Sequence, residues 1–332
     1  MSSLKLTIVG GSGFIGTRLS DRLLKSGIDL TIIDKVRSLK FPLKTRIADV
    51  RSFDDLVESV ESNGILVNLA AEHRDDVSPR SLYHDVNVTG ARNICAVAEA
   101  KNIKTIIFTS SVAVYGFAPI GTDESGSVSP FNDYGKTKYQ AELVYKEWQQ
   151  KDPRNRSLVI IRPTVVFGER NRGNVYNLLN QIVSGRFVMV GKGLNRKSMA
   201  YVENVAAFIE YCFNFQPGVY VYNYADKPDF RMNDLVSHIS KIVGRPNKIR
   251  FRLPYFLGVS IGKLFDLWSF ITHKKLSISS IRIKKFCSDS VYESAVSETG
   301  FVPPINLVDA IESTVKFEFL EEHKPDYVYY TE

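Results

Sequence analysis

Three glycines near the start of the chain constrain its fold most strongly. Gly10, Gly13 and Gly16 follow a short apolar segment and precede an amphipathic one, so the pattern predicts strand, turn and helix. In such a turn the first glycine permits a tight bend, the second lets backbone approach a diphosphate, and the third allows close helix–strand packing. The N–H groups at the helix start then face the phosphates. The pattern predicts a dinucleotide site that also includes Phe14 and Ile15.

The rest of the 332-residue chain supports the same fold class. Short β-branched strands alternate with amphipathic helices, which is typical of an α/β, Rossmann-type doubly wound parallel sheet. Beyond residue 162 the alternation loosens, which predicts a smaller carboxy-terminal substrate lobe. We expect a dinucleotide-binding domain over 1–168 and a mainly substrate-binding lobe over 169–332, with some segments returning to the sheet. The predicted strands are 4–9, 30–34, 45–48, 66–69, 105–109 and 158–161, and the predicted helices are 14–26, 53–62, 81–100, 134–150, 175–184, 202–213, 232–243 and 304–319.

Composition excludes several classes of protein. Cys95, Cys212 and Cys287 are too few and too far apart for a disulfide framework, and no metal site is expected. The opening residues read as a strand rather than a signal peptide. No uninterrupted run of about 18 apolar residues would span a membrane. These features predict a cytoplasmic protein.

The positive charge of the chain is concentrated in one segment. Residues 241–285 contain eleven Lys and Arg against a single acid, Asp266. Basic clusters of this kind favour an anionic partner, although a solvated helical face would have the same composition. Nucleic-acid binding is not expected, because the cations are spread over apolar helices without a base-reading module.

Within that segment, residues 254–271 are strongly apolar, contain Trp268 and are followed by His273, Lys274 and Lys275. A helix lying in the headgroup region of a bilayer has this composition. The alternative is a core helix of the substrate lobe. The first interpretation predicts a peripheral protein at the inner face of the cell membrane.

Acidic residues follow two of the predicted strands. Asp34 ends the second strand, where its carboxylate can accept both ribose hydroxyls and repel a 2′-phosphate, so NAD is favoured over NADP. The nearby Lys35 and Arg37 work against this preference. Asp49 and Val50, after the third strand, are expected to border the adenine.

A second constellation predicts the chemistry. Ser111 follows the strand at 105–109, and the carboxyl ends of parallel strands are where ligands gather. Tyr134 begins a predicted helix, and Lys138 lies one turn further on the same face. The pKa of a free tyrosine is about 10, and we expect the neighbouring lysine, together with the positive nicotinamide ring, to favour the phenolate and lower this pKa, so that the tyrosine can take a hydroxyl proton.

Together these motifs resemble the extended short-chain dehydrogenase/reductase family, the NAD-dependent sugar epimerases and dehydratases, over nearly the full chain. The segments 68–71 and 162–168 also match. The resemblance implies that Ser111, Tyr134 and Lys138 are the catalytic residues. It implies further NAD contacts by Tyr134, Lys138, Leu69, Ala70, Ala71, Pro163 and Val165.

Further segments resemble one membrane-associated bacterial subgroup of that family, 4-epimerases that interconvert GlcNAc and GalNAc on undecaprenyl diphosphate for O-antigen and surface polysaccharide. These segments are 71–79, 173–179, 197–202, 222–229 and 282–287. The resemblance implies an isomerase acting on a lipid-linked amino sugar. The residues expected to contact the substrate are Glu72, His73, Ser111, Asn174, Val175, Lys197 and Arg282. Glu72, His73 and Arg74 follow a strand end, and a salt-bridged loop is the alternative for these three residues.

Departures from the family pattern reduce the number of reactions and substrates that fit the chain. Nucleotide-sugar epimerases have asparagine and tyrosine where Val165 and Phe167 stand, and an arginine where Lys197 stands, so tight binding of UDP is disfavoured. Dehydratases carry carboxylates where this chain has Val112 and Ala113. The alternatives that stay open are a UDP-GlcNAc or UDP-Glc 4-epimerase, a nucleotide-sugar 4-ketoreductase, and an NAD-binding sensor or scaffold. A homodimer is a further expectation, since relatives pair through helices of the sheet domain.

Overall fold

The computed structural model describes residues 5–74, 77–246, 249, 251–272, 279–322 and 327–331. The strands are β1 Leu6–Val9, β2 Thr31–Asp34, β3 Thr45–Ile47, β4 Ile65–Asn68, β5 Thr105–Thr109, β6 Ser157–Pro163, β7 Val165–Phe167, β8 Val188–Val190, β9 Arg196–Tyr201, β10 Gly218–Tyr224, β11 Asp226–Arg231 and β12 Phe251–Leu253. The α-helices are α1 Phe14–Lys25, α2 Phe53–Ser59, α3 Ser81–His84, α4 Gly90–Ala100, α5 Asp133–Gln150, α6 Asn174–Ser184, α7 Val202–Tyr211, α8 Met232–Ile242, α9 Tyr255–Thr272, α10 Ser280–Cys287 and α11 Leu307–Phe319.

Seven parallel strands form the central sheet, in the order β10-β6-β5-β4-β1-β2-β3. The chain builds outward from β1 to β3, then crosses back to β4 and continues on the other side. This reversal leaves a crevice at the carboxyl ends of β1 and β4, which is where ligands bind in open α/β sheets. The predicted fold class is confirmed.

Helices cover both faces of the sheet. On one face α2, α4 and α5 pack over apolar side chains of the strands, and on the other face α1 and α7 do so. A third apolar cluster joins α6, α8 and α11 and includes Phe14 from the first turn of α1. This shared cluster packs the carboxy-terminal helices directly against the glycine turn.

The predicted strands and helices are confirmed, with ends that shift by a few residues. The predicted helix 81–100 is interrupted by a π-helical turn at Asp85–Thr89. Residue 4, the first of the predicted strand at 4–9, lies outside the described residues.

Several strands were not predicted. The strand β10 returns to the sheet beside β6, β7 and β9 pair in a small sheet with β11, and β12 pairs with β8. These strands lie at the edge of the central sheet or in small sheets and are partly exposed, so they lack the fully buried apolar run that marks a central strand. The division of function at residue 168 stays a prediction.

The helix α9 leaves its apolar side chains exposed. Phe256, Leu264 and Trp268 are 66%, 66% and 62% exposed, and in the described part of the helix only Gly258 and Gly262 are buried. The alternative of a core helix is therefore wrong. Among the residues that the structure describes, no helix is long and apolar enough to cross a membrane. The cationic run at 273–275 lies outside the described residues.

A buried ion pair ties α5 to the sheet. The guanidinium of Arg162 on β6 donates two hydrogen bonds, of 2.9 and 2.6 Å, to the carboxylate of Glu142, and the two side chains are 4% and 0% exposed. The hydroxyl of Ser110, which follows β5, donates to the same carboxylate at 2.5 Å. Arg162 also donates to the hydroxyl of Tyr115 at 2.6 Å. The network holds α5 against the ends of β5 and β6.

Replacing Arg162 tests how much this ion pair contributes to the stability of the fold. In the variant Arg162→Met the Glu142 carboxylate stays buried without its partner, so we expect the free energy of unfolding to fall by about 3–5 kcal/mol. The control Lys151→Gln breaks an exposed ion pair with Glu99 and is expected to cost less than about 1 kcal/mol. Urea unfolding measures both, and equal losses in the two variants would contradict the assignment.

Candidate active site

A cavity of about 700 Å³ opens at the carboxyl ends of the central strands. It brings together most of the residues that the sequence predicted, although they come from distant parts of the chain. Those residues are Gly10, Gly13, Phe14, Ile15, Gly16, Asp34, Asp49, Val50, Leu69, Ala70, Ala71, Glu72, His73, Ser111, Tyr134, Lys138, Pro163, Val165 and Asn174.

Three predicted substrate residues do not line this cavity. Val175 belongs to the core between α6 and its neighbours, because successive helical side chains point about 100° apart and only Asn174 faces the cavity. The ammonium of Lys197 donates to the carbonyl of Lys285 at 2.7 Å and so joins β9 to α10. Arg282 is exposed on α10. The substrate roles of these three residues stay predictions.

The glycine turn is shaped to receive a diphosphate. Gly10 has a φ of +75°, and a Cβ there would lie 2.5 Å from the backbone nitrogen of Ala70, so the turn packs directly on the loop after β4. Gly13 stands at the N-cap of α1 without a side chain to accept from the first turn, and that turn contains no acid. The N–H groups of Phe14 and Ile15 therefore remain available to an anion. These features fit the diphosphate of NAD.

Asp34 is held in a defined orientation beside that turn. Its carboxylate accepts hydrogen bonds from the backbone N–H groups of Ser12 at 3.0 Å and Val36 at 3.2 Å. Burial raises the pKa of Asp34, and these two hydrogen bonds oppose the rise. Free lone pairs on a fixed carboxylate fit the hydroxyls of an adenosine ribose.

Another part of the cavity wall contains an ion pair. The Arg51 guanidinium lies 2.6 Å from the carboxylate of Asp49 and lowers the pKa of that carboxyl. Both residues line the cavity. Asp49 therefore presents an ion pair, rather than an isolated carboxylate, to the cavity.

Close packing brings Tyr134 to Ser111. Ser111 caps the short 3₁₀ turn Val112–Tyr115, and its hydroxyl accepts from the N–H of Ala113 at 3.1 Å. The helix α5 starts on top of this turn, since a Cβ on Gly135 would lie 2.4 Å from the carbonyl oxygen of Ala113. Only glycine permits this close approach of α5 to the turn. The approach brings the side chain of Tyr134 near Ser111, and the two side chains form a hydrogen bond.

Burial controls the charge of both catalytic candidates on α5. It raises the pKa of Tyr134 to about 12, and the hydrogen bond with Ser111 only partly opposes the rise. The protein's own groups therefore do not produce the expected lowering, because loss of hydration outweighs them, and the lowering expected with the nicotinamide ring in place stays a prediction. Burial likewise lowers the pKa of Lys138 to about 7, against the attraction of the Glu142 carboxylate. The Lys138 ammonium lies 4.3 Å from the ring centroid of Phe108.

One positioning residue was missed by the sequence reasoning. Asn87, in the π-helical turn, accepts from the N–H of Glu72 at 2.9 Å and donates to the carbonyl of the same residue at 3.0 Å. It also donates to the hydroxyl of Thr137 at 3.0 Å, between the two catalytic candidates on α5. The sequence signal that could have found it is an asparagine on the apolar face of a predicted helix, since Asn87 lies four residues from both Tyr83 and Ala91.

The loop after β4 carries its own ion pair. The carboxylate of Glu72 accepts two hydrogen bonds of 3.0 Å from Arg74, as the salt-bridged alternative predicted. Asn171 and Thr331 line the cavity as well and were not predicted.

Comparison with known proteins agrees with this geometry. The model of the NAD dependent epimerase/dehydratase family matches residues 6–223. The chain is 49% identical, over 98% of its length and 98% of the relative, to the N-acetyl-alpha-D-glucosaminyl-diphospho-ditrans,octacis-undecaprenol 4-epimerase of Escherichia coli O157:H7. It is 26% identical to the UDP-glucose 4-epimerase of Vibrio cholerae, over 78% of this chain and 82% of the relative.

Solved structures share the fold. The NAD complex of Thermus thermophilus UDP-glucose 4-epimerase superposes with a TM-score of 0.73 at 17% identity, covering 95% of this chain and 98% of the other. The segment that matches the family model, residues 6–223, contains the glycine turn, Ser111, Tyr134 and Lys138. The chain therefore belongs to the NAD-dependent epimerase/dehydratase family, as an extended short-chain dehydrogenase/reductase whose cofactor is NAD.

Proposed function

We propose that this protein is an NAD-dependent 4-epimerase that interconverts GlcNAc-diphospho-undecaprenol and GalNAc-diphospho-undecaprenol. The observation that carries the proposal is one cavity containing the glycine turn, Ser111, Tyr134 and Lys138. That cavity occurs in a chain that is 49% identical, over nearly its whole length, to a relative named for this reaction.

The residues have separate roles at the sugar C4. Tyr134 acts as the phenolate, whose oxygen takes the proton of the C4 hydroxyl and later returns it to the same sugar oxygen. The Ser111 hydroxyl, already hydrogen-bonded to Tyr134, orients that sugar oxygen. With NAD bound, we expect the Lys138 ammonium and the positive nicotinamide ring together to favour the Tyr134 phenolate, and the Lys138 side chain to hold the nicotinamide ribose. When bound, NAD supplies the acceptor, and then the donor, of the C4 hydride.

Two observations support a lipid-linked rather than a nucleotide-linked sugar. Val165 faces the cavity with an apolar side chain, and Phe167 is 1% exposed and packs on Tyr201, so neither offers a polar group to a nucleotide sugar. Lys197 hydrogen-bonds within the protein in place of the forked arginine that grips a diphosphate.

The exposed face of α9 supports attachment to a bilayer. An amphipathic or apolar helix at the interface buries such side chains among the acyl chains, while nearby cations contact anionic headgroups. The exposed side chains of Lys263 and Lys284, on α9 and α10, are suited to that contact. We infer peripheral association with the inner face of the cell membrane, where an enzyme meets a polyprenyl-linked substrate. A homodimer stays a prediction that light scattering can test.

The decisive experiment offers the purified protein GlcNAc-diphospho-undecaprenol and UDP-GlcNAc in parallel and analyses the released sugars. We expect GalNAc from the lipid-linked sugar without added NADH. Conversion of UDP-GlcNAc alone would support the nucleotide-sugar epimerase. A requirement for stoichiometric NADH would support the ketoreductase, and NAD binding without either conversion would support the sensor.

In the same assay, Tyr134→Phe removes the proton acceptor and leaves the shape of the cavity. We expect turnover to fall by about 10²–10⁴-fold with the NAD content unchanged. Tyr139 lies on the same helix outside the cavity, so Tyr139→Phe is expected to keep turnover within about twofold. Full turnover by Tyr134→Phe would overturn the catalytic assignment.

The buried amine of Lys138 predicts a pH-dependent stability. Its pKa of about 7 in the folded protein lies below its usual 10.5, so between these values the unfolded chain binds more protons than the folded one. Its contribution to the free energy of unfolding therefore rises with pH across that window, by at most about 1.4 kcal/mol per pH unit, and is constant below it. Urea unfolding of wild type and Lys138→Met at several pH values without added cofactor measures the difference. Parallel curves would contradict burial of the amine.

Membrane attachment is tested with vesicles that contain anionic lipid. In the double variant Leu264→Glu/Trp268→Glu we expect binding to fall more than about tenfold, because two large apolar contacts with the bilayer are lost. The control Leu39→Glu/Leu43→Glu adds the same charge at side chains that are 69% and 96% exposed on the sheet domain. Wild-type binding should weaken with salt. Equal losses of vesicle binding in the two double variants, or no wild-type binding at low salt, would contradict membrane attachment through α9.

A further inference from the structure

Residues 327–331, here named the strap, run beside the dinucleotide cavity although they are distant from it in sequence. The N–H of Tyr329 donates to the carbonyl of Arg170 at 2.8 Å, and the N–H of Arg172 donates to the carbonyl of Tyr329 at 2.7 Å. These two hydrogen bonds form a parallel bridge between Tyr329 and Asn171. The backbone of the strap is therefore fixed to the segment that follows β7.

The middle residue of the strap contacts α1, the helix whose first N–H groups fit a diphosphate. The hydroxyl of Tyr329 donates to the hydroxyl of Thr17 on α1 at 2.6 Å, and its ring lies 5.8 Å from the ring of Phe14. Phe14 lines the cavity and begins α1. Tyr329 thus rests on the first turn of the helix whose N–H groups fit the phosphates.

Thr331, the last residue of the strap, contacts two other parts of the cavity wall. Thr331 lines the cavity, and its hydroxyl donates to the side-chain oxygen of Asn171 at 2.8 Å. The imidazole of His73, in the loop after β4, hydrogen-bonds to the backbone of Thr331. The strap consequently joins α1, the segment after β7 and the loop after β4 across the cavity.

We propose that the strap closes the cavity over bound NAD and holds the cofactor through successive turnovers, with Tyr329 and Thr331 as positioning residues. An epimerase returns the hydride to the sugar in each cycle, so it has no need to exchange its cofactor. A fixed strap is compatible with that cycle, whereas an enzyme that consumes NADH must open at every turnover. The inference rests on NAD binding within the proposed function and is independent of which sugar is used.

The test measures the release of NAD rather than turnover. Protein loaded with radiolabelled NAD is mixed with excess unlabelled NAD, and the retained label is followed by rapid gel filtration. The variants are Tyr329→Phe, Thr331→Val and their combination, which remove one or both of the hydrogen bonds that these two hydroxyls donate and keep side-chain shape. We expect release to accelerate several-fold in the single variants and more than about tenfold in the double variant.

The matched control is Tyr330→Phe, which removes a hydroxyl from the same segment at a side chain that is 73% exposed. Its release rate should stay within about twofold of wild type. Release from the double variant at the wild-type rate would overturn the proposal. Because no sugar is present, this result is separate from the outcome of the epimerase assay.

Hydrogen exchange of the wild-type protein gives a second readout that needs no variant. The amide of Tyr329 is hydrogen-bonded to Arg170, so closure over NAD should slow its exchange further. Unchanged exchange at this amide when NAD is added would also overturn the proposal, even if the double variant failed to fold.

Discussion

The buried ion pair between Arg162 and Glu142 is the interaction on which the active site depends. It sits below the cavity, where α5 meets the ends of β5 and β6, and Ser110 joins it from the residue before Ser111. Two charges in a desolvated position are stable only in a narrow geometry, because each must keep its hydrogen bonds. That geometry fixes the start of α5, and with it Tyr134, against the turn that carries Ser111.

The same desolvation acts on Tyr134 and Lys138, the proposed catalytic groups. The interior disfavours charge, so the pKa of Tyr134 rises while the pKa of Lys138 falls, and the protein alone keeps both groups closer to their neutral forms. The Glu142 carboxylate, one turn beyond Lys138, pulls in the opposite direction and remains paired with Arg162.

The carboxy-terminal half of the chain presents two surfaces of different character. Asn171 and Thr331 form a polar contact at the cavity, whereas α9 exposes a large apolar surface. In the described part of α9 only its two glycines are buried, and exposed apolar surfaces of this kind mark interaction sites. In the proposed function the sugar enters the cavity and the apolar surface of α9 contacts the bilayer.

Local sequence by itself determined the glycine turn, the Asp34 strand end and the Tyr134–Lys138 spacing, because each depends on residues within one element. The parallel sheet also followed from the sequence, since strands covered on both faces must be apolar throughout. The tertiary structure alone decided what depends on contacts between distant elements. The π-helical turn aims Asn87 at α5, a helical angle separates Asn174 from Val175, and the strap crosses a cavity built from residues far away in the chain. These outcomes depend on how elements pack and on which groups lose water, and neither is encoded in the spacing of neighbouring residues.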